Sequence, residues 1–301
     1  MASALTFIIN ICVIIILIAL LYYAVKYLQR EGFVNSPIPL VYFLSADETR
    51  EVLINDRDEY VHTLNQWDLI ARKVATFQEY INKIANAALS FTADQKVKIE
   101  QAAYDADAFF KSLRIDGLDT EQLTLIPWKI CLTREKEYED GLPHTRGDKI
   151  FLSTNIDIAH TSLVSILIHE KVHVYQRLYP QDTMSFLEHN GYYRWKQRYG
   201  VPRIRSNPDL DPWIYFHPQT KKPMVAFYTD DTPEHINDVI LDSPEFEHPF
   251  EQIAYKIAQK YKQVQKQSGD KYKTVDFMKN FNLSYTKNET NSDSILIKTL
   301  G

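Results

Sequence analysis

His169, Glu170 and His173 stand together in the run His169-Glu170-Lys171-Val172-His173. If that run is helical, the two imidazoles lie one turn apart on one face, the spacing that chelates a single zinc ion. Glu170 is then placed beside the metal site, where a carboxylate can act as general base toward a water. Burying two imidazoles and a carboxylate without partners is costly, and a divalent cation removes that cost by taking the nitrogen lone pairs and offsetting the negative charge. The competing explanation is structural, with one histidine packed in a core and the other bonded to a carbonyl.

A catalytic zinc takes three protein ligands and keeps one position for water. Glu251 is the better candidate for the third ligand. It sits in His248-Pro249-Phe250-Glu251, where proline near a helix start, Glu in the first turn, and then Ile253, Ala254, Ile257 and Ala258 describe a helix that packs closely on a neighbour. Small Ala254 lets that helix approach the histidine helix. Glu188 is nearer in sequence but lies in a more polar stretch, and it remains the alternative.

With these residues in place, the chain resembles the gluzincin branch of the zincin metallopeptidases. The resemblance rests on His169-Glu170-Lys171-Val172-His173-Val174-Tyr175-Gln176 and on Glu251-Gln252-Ile253-Ala254-Tyr255, and it covers residues 125 to 260. It implies a zincin-like α+β domain, zinc held by His169, His173 and Glu251, and peptide hydrolysis by a water that Glu170 activates. The chain departs from the best-known members in the long spacing to the third ligand. It also carries Tyr255 where some members have an acidic residue one turn after that ligand. A third histidine of the metzincin kind is excluded, because Gln176 stands where glycine would be and Tyr179 where histidine would be. The overall pattern is also similar to metallopeptidase-like proteins of large DNA viruses.

Zincins place an edge strand just before the active-site helix, and extended substrate pairs with it. Here the turn at Arg146-Gly147-Asp148 is followed by the strand-like Lys149-Ile150-Phe151-Leu152-Ser153, with His144 and Thr145 near that strand as candidate substrate contacts. A donor for the tetrahedral intermediate is also needed. Tyr192, Tyr193, Tyr215, His217 and Tyr255 are all available, and the sequence does not choose among them.

The positioning elements follow from periodicity and caps. Leu163 to Leu178 is apolar on nearly every side and reads as a core helix, with Asn155, Thr161 and Ser162 as cap candidates and Pro180 as a stop. Capping boxes at Ser45-Ala46-Asp47-Glu48 and Thr92-Ala93-Asp94-Gln95 open two or three packed helices across residues 45 to 120. That region is expected to complete the catalytic core as a helical layer, or alternatively to cover substrate. Pro127 to Thr133 reads as a strand containing a small buried Cys131. Residues 201 to 231, rich in Pro, Asp and aromatics, read as a long ordered loop near the site. The catalytic domain is expected over 121 to 281, with a basic, helical stretch from Ala258 to Phe281 and a polar tail over 282 to 301.

Composition narrows the function class. The 301 residues carry a net charge of −5 that is spread out, so no basic footprint for nucleic acid is present. There are 8 glycines and neither a dinucleotide fingerprint nor a phosphate-cradling loop. The 2 cysteines, Cys12 and Cys131, do not suggest an intrachain disulfide.

Ala4 to Val25 is uncharged and dominated by Ile and Leu, and as a helix it spans about 33 Å, enough for a bilayer core. Tyr22, Tyr23 and Tyr27 sit where an interfacial belt belongs. The expected layout is therefore a single transmembrane anchor over 4 to 25, a linker over 26 to 44 and one large domain. Lys26 and Arg30 on the C-terminal flank place that domain on the cytoplasmic side, or inside a virion, although the sequons at Asn282 and Asn288 point the other way. The expected partners are a peptide or protein substrate and the lipid bilayer. The expected function is a membrane-anchored zinc metallopeptidase. The alternatives are a zincin-fold scaffold without catalysis, acting in membrane or virion assembly, and zinc hydrolysis of a non-peptide amide.

Overall fold

The computed structural model describes residues 40–267, apart from 158 and 244, together with 275–276. The anchor expected over 4–25, most of the 26–44 linker and the tail over 282–301 lie outside these residues. Among the described residues, no helix is long and apolar enough to cross a membrane.

The architecture is mixed α+β, with eight α-helices and small sheets among the described residues. In chain order, β1 (Val41–Phe43) precedes α1 (Ala46–Asn55), α2 (Gln66–Ala71) and α3 (Phe77–Asn86). Then come β2 (Ala88–Leu89), α4 (Ala93–Ser112), β3 (Leu113–Arg114) and α5 (Thr120–Leu125). The sheet strands β4 (Trp128–Thr133), β5 (His144–Arg146) and β6 (Lys149–Ser153) lead into α6 (His160–Leu178), which carries both histidines, and α7 (Pro180–His189). The last part holds β7 (Tyr193–Gln197), β8 (Trp213–Phe216), β9 (Pro223–Met224), β10 (Ala226–Tyr228), β11 (Val239–Leu241), α8 (Pro249–Gln267) and β12 (Val275–Asp276).

Both capping boxes form. Ser45 accepts from the Glu48 amide while the Glu48 carboxylate accepts from that of Ser45, and Thr92 and Gln95 do the same for α4. A third box, Asn65 with Asp68, opens α2. For α6 the cap differs from expectation. The helix starts at His160 after Ala159, which supplies no side-chain cap, so neither Asn155, Thr161 nor Ser162 takes that position. The Asp157 carboxylate instead accepts from the Ala159 amide at 2.9 Å. Pro180 ends α6 and also opens α7, where its missing N–H costs nothing.

The main sheet runs β1-β4-β6-β5, with β2 paired to the far end of β4. β1, β4 and β6 are parallel, and β5 is antiparallel to β6 across the Gly147-Asp148 turn. Two expectations need correction. Val41–Phe43 is not linker but a strand paired with Trp128–Ile130. Lys149–Ser153 is not the edge, because β5 covers it, and His144 and Thr145 lie on the edge strand itself. The hairpin closes β5 back onto β6, which uses up the edge that β6 would otherwise present.

Strand alternation sorts the core into two faces. Ile130, Leu132, Ile150 and Leu152 face one cluster with Leu167, Ile168 and Val172 of α6, Ala102, Ala106 and Phe110 of α4, and Ile253, Ala254 and Ile257 of α8. Cys131 and Phe151 face the other, with Leu53 of α1 and Tyr80, Ile81 and Ile84 of α3. The helices between 45 and 120 therefore divide between both faces of the sheet. Each fully buried aliphatic side chain contributes roughly 1.5–3 kcal/mol, so α6 is fixed firmly along its apolar side.

Gly141 sets the approach to β5. Its φ is +78°, and a Cβ there would lie 2.5 Å from the Glu135 carbonyl oxygen, so only glycine fits. Residues 201–231 are not one loop. They contain β8, β9 and β10, and β8 pairs with both β7 and β9.

Candidate metal centre

His169 and His173 project from α6 one turn apart, and Glu251 stands in the first turn of α8. The His169 and His173 Nε2 atoms are 3.0 Å apart. The Glu251 Oε2 atom lies 3.4 Å from the first and 3.7 Å from the second. A point equidistant from all three is about 2.0 Å from each, the length of zinc bonds to nitrogen and carboxylate oxygen. Among the described residues this is the one group of His, Cys, Asp and Glu side chains that converges in this way. Two nitrogens and one carboxylate oxygen suit zinc chemically and leave room for water.

The surrounding hydrogen bonds orient all but one of these donors. The Gln176 amide nitrogen donates to the Phe250 carbonyl at 3.2 Å, so its Oε1 faces His173 and accepts from Nδ1 at 2.9 Å. That assigns the His173 proton to Nδ1 and leaves the Nε2 lone pair for a metal. The Asn207 amide donates at 2.9 Å to Glu251 Oε1 and at 2.8 Å to Glu247 Oε1, turning Glu251 Oε2 toward the imidazoles. Glu247 is in turn ion-paired with Arg205. No partner is shown for the His169 Nδ1 atom.

Charges around the centre pull against one another. Burial pushes the Glu251 carboxyl up, but the His173 and His169 imidazoles outweigh it and hold the group well below its usual range. Burial pulls His173 down, and the Asp209 and Glu251 carboxylates more than reverse that. Burial pushes Glu170 well up, the Asp209 and Glu251 carboxylates push it the same way, and Arg177 opposes. A nearby cation would draw it back toward the ionised form. The Glu170 Oε2 atom is buried with no hydrogen-bond partner.

A cleft of about 580 Å³ opens on the His169 side, lined by Glu170, His144, Asn207, Asp209, Glu251 and Tyr255 among others. That volume suits a ligand. Buried polar atoms without partners concentrate here. His144 Nε2, Glu170 Oε2, Arg205 Nε and Glu247 Oε2 all belong to residues that line it.

The other expected site residues fall as follows. His144 is buried, stacks on Phe151 with ring centroids 5.2 Å apart, and donates from Nδ1 to the Leu142 carbonyl at 2.9 Å. Burial pulls its pKa down against the pull of Asp209 and Glu139, so Nε2 stays a bare acceptor. Thr145 does not face the cleft. Its amide and hydroxyl both donate to Asp209 Oδ1, at 2.6 and 2.8 Å, so it positions Asp209. The amide that would receive an added strand at the edge is thereby occupied. Glu188 is exposed on α7, outside the cluster. Tyr255 lies one turn after Glu251, with its ring edge-on to that of His169 at 4.4 Å. Tyr192 and Tyr215 donate to Gln252 and Asp211, Tyr193 is exposed, and His217 is buried among backbone amides. Sequence reasoning missed Gln176 as a partner of His173, and it missed Asn207 and Asp209 individually. Its only signal for the last two was the Pro- and Asp-rich composition of their segment.

Comparison with protein families, curated proteins and solved structures returns no match for this chain.

Proposed function

We propose that this chain is a zinc-dependent peptidase with a zincin-like catalytic domain over residues 121–281. Convergence of the three donor atoms of His169, His173 and Glu251 beside the unpartnered Glu170 carboxyl carries this reading. In the proposed layout, residues 4–25 anchor the protein in a bilayer, and the large domain is cytoplasmic or virion-internal.

When bound, zinc would supply Lewis acidity, lowering the pKa of a neighbouring water and drawing charge from a substrate carbonyl. The chain's own residues do the rest. Glu170 takes the proton from the attacking water and hands it to the leaving amine. Gln176 and Asn207 hold the donor atoms of His173 and Glu251 in one orientation. Tyr255, the tyrosine beside His169 in the cleft, is the candidate to donate to the oxygen that gains charge. His144, which lines the cleft, is a further candidate to meet substrate there.

The test uses the full chain, purified and analysed for metal, with a peptide library and a chelator control. Wild type is expected to carry one zinc and to cleave peptides until chelated. His169→Ala should lose the metal. Glu170→Gln should keep it while cleavage falls about 10²–10⁴-fold. Wild type without zinc, or a fully active Glu170→Gln, would reject the peptidase reading.

A further inference from the structure

A second cavity, of about 310 Å³, lies on the His173 side of the centre, and the segment Ser206–Asp209 lines both this cavity and the cleft. Arg177 and Arg198 are among the residues that line the cavity, and neither has an ion-pair partner among the described residues, although the Asp209 and Asp58 carboxylates act on Arg177 from farther off. Among the described residues Arg177 donates to backbone carbonyls, those of Gly147 at 3.2 Å and Pro208 at 2.5 Å. Arg198 is 7% exposed. Its Nη2 donates to the Arg205 carbonyl at 2.7 Å, and its buried Nη1 has no partner among the described residues.

The wall also contains three carboxylates, and each is already held. Asp58 is paired with Arg146. Asp209 accepts the amide and hydroxyl of Thr145. Asp211 accepts from the Tyr215 hydroxyl at 2.6 Å and lies 3.1 Å from His248 Nε2. The unmet capacity here is therefore for an acceptor. Leaving a buried guanidinium donor unpaired is costly, and an anionic oxygen is its strongest partner.

We propose that this cavity binds the C-terminal carboxylate of a peptide, with Arg198 and Arg177 as its partners. That identity of the ligand rests on the peptidase reading. His173 and Gln176, its partner at Nδ1, both line the same cavity, so a chain end held here lies next to the residues that orient one candidate ligand. The substrate class is then peptides cleaved near a free C-terminus.

The probe is a pool of fluorescently labelled random pentapeptides, prepared as free acids or as C-terminal amides, titrated into the full-length Glu170→Gln protein. Free acids should bind about 10-fold more tightly than amides. Arg198→Gln should abolish that difference, and Arg198→Lys should keep part of it. Equal binding of acids and amides would overturn the proposal, as would a preference that survives Arg198→Gln. Amidated peptides with a glutamate side chain that bind as well as free acids would also overturn it, in favour of a side-chain pocket. If Arg198→Gln fails to fold, the acid–amide comparison in the unsubstituted pocket still decides. A zinc-free protein that prefers free acids keeps this site and loses the peptidase reading. An active zinc enzyme indifferent to the terminus does the reverse.

Discussion

Gln176 bridges His173 and the backbone of Phe250. Its amide oxygen lies 2.9 Å from the His173 Nδ1 atom and its amide nitrogen 3.2 Å from the Phe250 carbonyl. One side chain thus ties the second imidazole to the entry of the helix that brings Glu251. Orientation of the imidazole and placement of the carboxylate are therefore coupled.

Metal affinity should depend on these bridging amides. Gln176→Leu leaves His173 without an acceptor at Nδ1, and Asn207→Ala frees Glu251 Oε1. Each is expected to weaken zinc binding about 10–100-fold, read by competition with a chromogenic chelator. Asn207→Asp should cost less than Asn207→Ala, because a bound cation offsets the carboxylate it adds. Unchanged affinity in all three would show that the ligands are oriented by the fold alone.

The other side of α6 carries a buried ion pair. Lys171 donates to Asp107 at 2.7 Å and lies 3.9 Å from the centre of the Trp128 ring, while the Trp128 indole donates to Asp107 at 3.2 Å. Burial pulls Lys171 down to about 8 and pushes Asp107 up, so both charges are held against desolvation. Lys171→Met strands the carboxylate and should cost about 3 kcal/mol. Adding Asp107→Asn removes the charge while Trp128 keeps an acceptor, and should recover more than half. Urea denaturation of the single and double variants checks this, and a double variant no better than the single one would contradict it.

Acid sensitivity should trace to Glu139. Burial pushes its carboxyl up, but Arg72 at 2.6 Å outweighs that and holds it below its ordinary 4.5. A depressed folded value means the stabilisation is complete above the unfolded value and is lost as pH falls through the folded one. Wild type should therefore lose stability below about pH 4.5, more steeply than Glu139→Gln. Glu139→Gln should itself be less stable near neutrality by about 3 kcal/mol, because buried Arg72 loses its 2.6 Å carboxylate partner and keeps only Asp68, at 3.5 Å. Parallel pH profiles of the two unfolding midpoints would contradict the assignment.

What the sequence determined by itself was local. The one-turn spacing of His169 and His173, the capping boxes at Ser45 and Thr92, the strand from Trp128 and the turn at Gly147 each depend on residues a few positions apart, whose geometry is dictated by backbone period and sterics. The mixed α+β class follows from the same periodicities. Tertiary structure decided the rest. Glu251 lies 78 positions beyond His173, and nothing local distinguished it decisively from Glu188. Only the packing of α8 on α6 brings it to the imidazoles. The same long-range packing set Gln176 against Phe250, drew Asn207 and Asp209 to the centre, tied Thr145 to Asp209, and divided the early helices between two sheet faces. Such contacts depend on how distant surfaces bury one another, and a side chain's partner across the fold leaves no trace in the residues beside it.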